Sequence, residues 1–110
     1  KKKICMIFQP HRFSRTAQLF DDFVKILKKV DSLILLDIYA ASEKPIKGID
    51  SRTIVESIKQ LGHKDTLYVK NHSDVIEIIN SKSNKFDILI TQGAGSVSSV
   101  CELIKNKWKK

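Results

Sequence analysis

The sequence predicts an α/β fold in which helices cover both faces of an open parallel sheet. Short, almost unbroken apolar runs alternate four times with segments whose apolar residues recur every three or four positions. The runs lack polar–apolar alternation, so each strand is expected to be covered on both faces. Helical segments separate successive runs, as parallel strands require, because each connection between them must cross over the sheet.

Four strands are predicted from the apolar runs. The first is Ile4 to Phe8, and the second is Leu33 to Tyr39, which a single acidic residue interrupts. The third, Thr66 to Val69, is short but rich in strand-favouring residues. The fourth is Phe86 to Thr91.

Four helices are predicted after these strands. The first begins at Ser14, the second is capped by Asp50 or Ser51 and stopped by Gly62, and the third follows Ser73. The apolar stripes that define the four helices are Ala17, Phe20, Phe23, Val24 and Leu27; Ile54, Val55, Ile58 and Leu61; Val75, Ile76 and Ile79; and Val97, Val100, Cys101, Ile104 and Trp108.

The repeated strand–helix order predicts a Rossmann-like, three-layer fold, with residues 1–110 in one domain. This length suits one domain, and the start at Lys1 without a Met suggests a fragment of a longer protein. In such sheets ligands bind outside the carboxyl ends of the strands. Function is therefore expected in the loops that follow the strands.

Composition narrows the classes of function. Twenty basic residues against twelve acidic ones leave a net charge of +8, which could serve a nucleic acid or a membrane surface. Seventeen of the twenty are Lys, however, and a nucleic-acid reader would more often use Arg. No apolar stretch approaches the ~20 residues of a membrane span. We therefore expect neither a nucleic-acid nor a membrane partner. A basic nucleic-acid binder is kept only as a third alternative, after the two functions described below.

The cysteines and two of the histidines suggest no special chemistry. Cys5 and Cys101 lie in apolar runs without metal-ligand spacing, so we expect buried thiols in a cytoplasmic protein and no metal. His63 and His72 have no ligand-spaced partners and are expected to be surface residues.

The loop after the first strand concentrates positive charge. His11, Arg12 and Arg15 lie within five positions at the start of a helix, where backbone amides also favour an anion. Two arginines three residues apart can face the same way and bind a carboxylate or phosphate bidentately. Alternatively, Ser14 only caps the helix while the arginines pair with nearby carboxylates or with solvent.

Two other loops carry weaker signals. Gln92-Gly93-Ala94-Gly95 follows the fourth strand, and its glycines allow either close approach to a ligand or simply a tight turn. Asp37 could orient His11 or Arg12, or could bond to nearby backbone. No GxxxxGK[ST] phosphate loop is present, so the chain cannot bind ATP in that manner by itself.

Several stretches agree in order and spacing with one known family. They are Phe8-Gln9-Pro10-His11-Arg12-Phe13-Ser14-Arg15-Thr16, Leu19-Phe20-Asp21-Asp22-Phe23, Leu36-Asp37-Ile38-Tyr39 with Glu43, Pro45-Ile46-Lys47-Gly48 with Asp50-Ser51-Arg52, and Gln92-Gly93-Ala94-Gly95. Over nearly its whole length the chain thus resembles the C-terminal domain of the Mur ligase family, in the branch that adds L-alanine to UDP-N-acetylmuramate. It departs from the family where Tyr39-Ala40-Ala41-Ser42-Glu43 replaces the usual Tyr-Pro-Ala-Gly-Glu.

The resemblance implies an ATP-dependent ligase of peptidoglycan synthesis. Such an enzyme phosphorylates the lactyl carboxylate of UDP-N-acetylmuramate, and the amine of L-alanine attacks the resulting acyl phosphate. The resemblance places His11, Arg12 and Arg15 against the amino acid and the transferring phosphate, and implies that ATP and Mg are bound mainly by a central domain outside this chain. The isolated chain is therefore expected to be inactive. Candidate supporting residues are Asp37, Tyr39, Gln92, Gly93 and Gly95.

A free-standing Rossmann-like or flavodoxin-like module that binds a small anion or nucleotide is the main alternative. It predicts measurable ligand affinity without partner domains.

Overall fold

The computed structural model describes residues 3–63, 65–82 and 86–93. Strands and helices alternate in it in the predicted order. The strands are β1 (Ile4–Gln9), β2 (Ser32–Leu35), β3 (Thr66–Tyr68) and β4 (Ile88–Gly93). The helices are α1 (Phe13–Gln18), α2 (Phe20–Leu27), α3 (Ser51–Gln60) and α4 (His72–Lys82).

The four strands form one parallel sheet in the order β3-β2-β1-β4. The chain steps outward from β1 to β2 and β3, then returns across the sheet and pairs β4 with the other side of β1. This is the order of the first four strands of a Rossmann sheet, whereas in flavodoxin-like sheets β1 lies between β2 and β3. The strand order reverses between β1 and β4, and ligands of such sheets bind at the carboxyl ends beside this switch point.

Buried side chains occupy both faces of the sheet, so the three-layer Rossmann-like prediction is confirmed. Ile34 and Leu35, neighbours in β2, point to opposite faces, as strand geometry requires. On the α4 face the buried cluster is Cys5, Ile7, Ile34, Leu36, Val69, Val75, Ile79 and Phe86. On the face of α2 and α3 it is Val24, Leu27, Leu33, Leu35, Ile54, Val55 and Ile58.

The first helical segment differs from the single helix predicted. It is divided at Leu19, whose backbone (φ −107°, ψ 16°) leaves the helical region. The short α1 buries Thr16, whereas α2 buries Val24 and Leu27 against the sheet. The break allows α1 to follow the end of β1 while α2 packs along one face.

Several element boundaries also differ from the predicted ones: β3 ends at Tyr68 and not Val69, and β4 begins at Ile88 and not Phe86. Regular pairing of β2 ends at Leu35, although the prediction extended the strand to Tyr39. β4 continues past Thr91 to Gly93, because its last two residues still pair with β1. Leu61, assigned to the apolar stripe of α3, is 54% exposed because the helix ends at Gln60.

Some predictions concern single residues. Asp50 caps α3, and Gly62 follows its end with a φ of +96°, as expected of a helix stop. Cys5 is a buried thiol. The prediction for His63 was wrong: its partly buried ring bonds to the Val30 carbonyl and the Thr66 hydroxyl, tying the end of the α2 segment to β3.

The last predicted helix, including Cys101 and Trp108, lies outside the described residues, as does Gly95, and the side chain of His72 is not described. Within residues 3–63, 65–82 and 86–93, no helix has the length and apolarity needed to cross a membrane.

Candidate functional site

The loops after β1 and β2 remain paired beyond the ends of the strands. Phe8 lies opposite Leu35, and three residues later His11 forms a parallel bridge with Tyr39, which is four residues after Leu35. One extra residue is therefore accommodated on the β2 side. Gln9 is buried, and its side-chain amide donates a hydrogen bond to the backbone carbonyl of Asp37 within this irregular stretch (3.1 Å).

Tyr39 supports His11 through both backbone and side chain. Its N–H donates to the Pro10 carbonyl (2.9 Å), and its carbonyl accepts from the Arg12 N–H (2.7 Å). The rings of His11 and Tyr39 stack with centroids 5.7 Å apart and planes inclined by 12°. The His11 imidazole is thus held at the carboxyl ends of two central strands.

Arg12 has a backbone conformation that is uncommon for a residue with a side chain. Its φ is +70°, in a region that costs about 1–3 kcal/mol when the surroundings must enforce it. Contacts on both sides hold it there. Its N–H bonds to Tyr39, while its carbonyl accepts from the Thr16 N–H (3.1 Å) and from the Thr16 hydroxyl (2.7 Å).

Glu43, from the loop after β2, occupies the start of α1. Its carboxylate accepts hydrogen bonds from the Ser14 N–H (3.0 Å) and the Ser14 hydroxyl. Arg12, the N-cap residue, makes no side-chain capping bond. The bonds from Ser14, followed by smaller effects that include the nearby Arg12 charge, lower the pKa of Glu43 below its ordinary value. The anion expected at this helix start is therefore supplied by the chain itself.

An open cleft beside this helix start carries the positive charge, and we call it the cationic cleft. It has a volume of about 380 Å³ and is lined by His11, Arg12, Ser14, Arg15 and Gln18. Every lining residue is polar. Two of them are arginines, and none carries a carboxylate. Both arginine side chains are exposed, and within the described part of the chain neither forms an ion pair with Asp21 or Asp22.

Gly93, the last residue of β4, lies beside the end of β1, the strand that leads into the cationic cleft. It pairs with Gln9 at a φ of +126°, and a Cβ placed there would lie 2.3 Å from the Gln9 carbonyl oxygen. A glycine is required for this approach of β4 to β1 at the switch point. Gln92 is exposed and pairs with Phe8.

Asp37 takes a different partner from the one considered in the sequence. Its carboxylate accepts a hydrogen bond from the Tyr68 hydroxyl and contacts neither His11 nor Arg12 among the bonds of the described residues. The Arg52 guanidinium lies 5.2 Å from the centroid of the Tyr68 ring. Burial, followed by the hydrogen bond to Asp37, raises the pKa of Tyr68. This cluster joins the loop after β2 to β3 and α3.

A second cleft lies between segment 45–49 and the start of α3. Its volume is about 470 Å³, and most of its lining is apolar. Its two carboxylates are already hydrogen-bonded: Asp37 to Tyr68, and Asp50 to the N–H and hydroxyl of Thr53. It is therefore a weaker candidate for a polar ligand than the cationic cleft.

The structure thus brings together His11, Arg12, Arg15 and Tyr39, and adds two residues to which sequence reasoning gave no role. Gln18 lies three residues after Arg15, a helical spacing that could have indicated it. Glu43 is separated from Ser14 by 29 residues, so no local pattern could have revealed their contact.

Comparison with models of known protein families finds none that matches this sequence. Among the described residues, no group of three or more His, Cys, Asp or Glu side chains is arranged to hold a metal ion.

Proposed function

We propose that this chain is the amino-acid-binding C-terminal domain of an ATP-dependent ligase of the Mur family. The enzyme would join L-alanine to UDP-N-acetylmuramate in the cytoplasm, during synthesis of the cell-wall peptidoglycan. The observation that carries the proposal is the cationic cleft, where Arg12 and Arg15 lie beside His11 with no carboxylate in the lining. These are also the residues that the motif resemblance assigns to the amino acid and the transferring phosphate.

The cleft suits a small carboxylate or phosphate. Guanidinium groups offer paired N–H donors that match both anions, and binding by two of them fixes orientation as well as charge. Because Glu43 already occupies the first amides of α1, a ligand would be held by side chains rather than by the helix start. Gln18 supplies a further amide at the cleft wall.

In the proposed reaction, the cleft would act on charge that develops during amide formation. ATP with Mg²⁺ supplies the phosphoryl group that activates the lactyl carboxylate, and both would be bound mainly outside this chain, which has no phosphate loop. Arg12 and Arg15 would hold the alanine carboxylate or the departing phosphate, so that the alanine amine reaches the acyl carbon. Preorganised cations are most effective where such charge accumulates.

A free-standing Rossmann-like anion-binding module remains the second candidate, since its ligand would use the same cleft at the switch point. The strand order disfavours its flavodoxin-like form. Titration of the isolated chain with L-alanine, UDP-N-acetylmuramate, ATP and flavin mononucleotide separates the candidates. Binding of ATP, UDP-N-acetylmuramate or flavin mononucleotide without partner domains favours the module, whereas the ligase proposal expects the isolated chain to bind only small anions such as phosphate or L-alanine.

The sharpest test is substitution of each arginine in the full-length protein that contains this chain. Arg12→Ala and Arg15→Ala are each expected to lower kcat/KM for L-alanine about a hundredfold, because each removes a charged group from the reacting region. Arg52→Ala is the matched control: Arg52 is also exposed but packs on Tyr68, and activity should change little. Unchanged kcat/KM in both cleft variants would contradict the proposal.

Activity is expected to require further domains. The 110-residue chain alone should show no alanine-dependent ATP hydrolysis, whereas the full-length protein should. Alanine-dependent ATP hydrolysis by the isolated chain would disprove the expectation that activity requires further domains. The coding sequence upstream of Lys1 is a complementary test, since the proposal expects a GxxxxGK[ST] loop there.

A further inference from the structure

Glu43 caps the start of α1, a task that a residue at the start of the helix itself normally performs. The six-residue helix has no acidic residue in its first turn and no side-chain cap from its N-cap residue. Instead, Glu43 reaches it from 29 residues away and bonds to both the N–H and the hydroxyl of Ser14. Orphan amides at a helix start need such acceptors, and so short a helix is not stable by its own hydrogen bonds.

The same loop also fixes the residue before this helix. Tyr39 holds the Arg12 N–H through its carbonyl, and the Arg12 carbonyl is held by Thr16. The segment that carries both cleft arginines is thus clamped by Tyr39 on one side and by Glu43 on the other. The path of the loop between them is itself constrained, since Ala41 and Ser42 both have positive φ values (51° and 73°).

We infer that Glu43 is a positioning residue whose carboxylate holds the first turn of α1 so that Arg12 and Arg15 both face the cationic cleft. The inference rests on the proposed function in one respect, that the cleft binds an anion. Glu43 does not line the cleft and acts through Ser14. The loop after β2 thereby controls the anion site that the loop after β1 forms.

Two other roles for Glu43 make different predictions. If its charge merely opposed an anion in the cleft, every substitution that removes the charge would strengthen anion binding. If Glu43 only stabilised the fold, its loss would affect anion binding to the same extent as the loss of a comparable helix cap elsewhere. Asp50 is that comparable cap, because it accepts from the N–H (2.8 Å) and hydroxyl (2.9 Å) of Thr53 at the start of α3.

The experiment compares Glu43→Ala, Glu43→Gln and Asp50→Ala in the 110-residue chain, with inorganic phosphate and L-alanine as probes. Binding is followed by NMR at the side-chain Nε–H groups of Arg12 and Arg15. Glu43→Ala is expected to weaken binding about tenfold, since displacement of a positioned group by about 1 Å can cost up to about a hundredfold. Glu43→Gln retains polar atoms that can meet Ser14 and should bind at least about half as tightly as wild type. Asp50→Ala should bind as wild type does.

Amide hydrogen exchange without ligand gives an independent measure of positioning. Exchange at the Arg12 N–H should accelerate in Glu43→Ala, and should remain as in wild type in Asp50→Ala and nearly so in Glu43→Gln. If wild type binds neither probe, the proposed function of the cleft fails, and this exchange measurement still decides the role of Glu43. Unchanged or tighter binding in Glu43→Ala overturns the inference, as does an equal loss in Asp50→Ala or unchanged exchange at Arg12.

Discussion

Gly93 and Arg12 show how single residues shape the switch point. Both have positive φ values, but for different reasons: at Gly93 the strand must approach the Gln9 carbonyl, whereas at Arg12 the chain turns from a strand into a helix. A glycine removes the steric cost of its conformation, and an arginine bears that cost. A strained backbone at a cationic residue that lines the cleft is consistent with its proposed task.

At this scale, Gly93→Ala is expected to destabilise the chain by about 3 kcal/mol, because strand pairing must shift to relieve a Cβ 2.3 Å from the Gln9 oxygen. Urea unfolding gives the free-energy difference. Gly48→Ala is the control: it has a φ of +84° but no atom within 4 Å of the new Cβ, so it should cost only about 1 kcal/mol. Equal losses in both variants would show that close approach is unimportant.

At the scale of elements, α1 depends on the rest of the fold more than α3 does. α3 has a local cap in Asp50 and a buried stripe that includes Ile54 and Ile58, so its position could be predicted from the sequence. α1 has neither feature and is secured by Glu43 from another loop. The sequence did not predict the break at Leu19, because Ala17 and Phe20 have the spacing of one continuous helix. In the structure they lie in two separate helices, α1 and α2.

This dependence predicts a pH effect on stability. The folded-state pKa of Glu43 is lowered from its ordinary value of 4.5, chiefly by the hydrogen bonds from Ser14. Ionised Glu43 therefore contributes stability that is fully present above that value and is lost as the pH falls through the lower, folded-state pKa. The difference in unfolding free energy between wild type and Glu43→Gln should be constant near neutral pH and shrink in acid.

Denaturant unfolding over a series of pH values measures this difference. The Ser14→Ala background is the control, because loss of the hydroxyl donor should reduce the pH-dependent part of the difference. A difference independent of pH in both backgrounds would mean that the charge of Glu43 does not stabilise α1.

At the scale of the molecule, the sheet separates two hydrophobic clusters. Ile58 of α3 is buried on one face and Ile79 of α4 on the other. The two clusters have no side chain in common, although both include residues of β2. Covering both faces explains why Leu33, Ile34 and Leu35 of β2 are all apolar and show no alternation with polar residues.

Ile58→Val and Ile79→Val are each expected to cost about 1 kcal/mol in unfolding free energy, because each removes one buried methylene. Their effects should add to within about 0.5 kcal/mol, since the residues lie on opposite faces of the sheet. Ile26→Val, at a side chain 60% exposed, should change stability by less than about 0.5 kcal/mol. Strong coupling in the double variant would contradict independent packing of the two faces.

The amino-acid sequence by itself determined the fold class, the four described strands and the position of the cationic segment. These follow from local hydrophobic period, from caps such as Asp50 and from the spacing of Arg12 and Arg15. Only the tertiary structure decided the strand order, the switch point and the contact between Glu43 and Ser14. Those features depend on residues far apart in the chain, whose meeting is set by how the sheet assembles and leaves no mark in a local pattern.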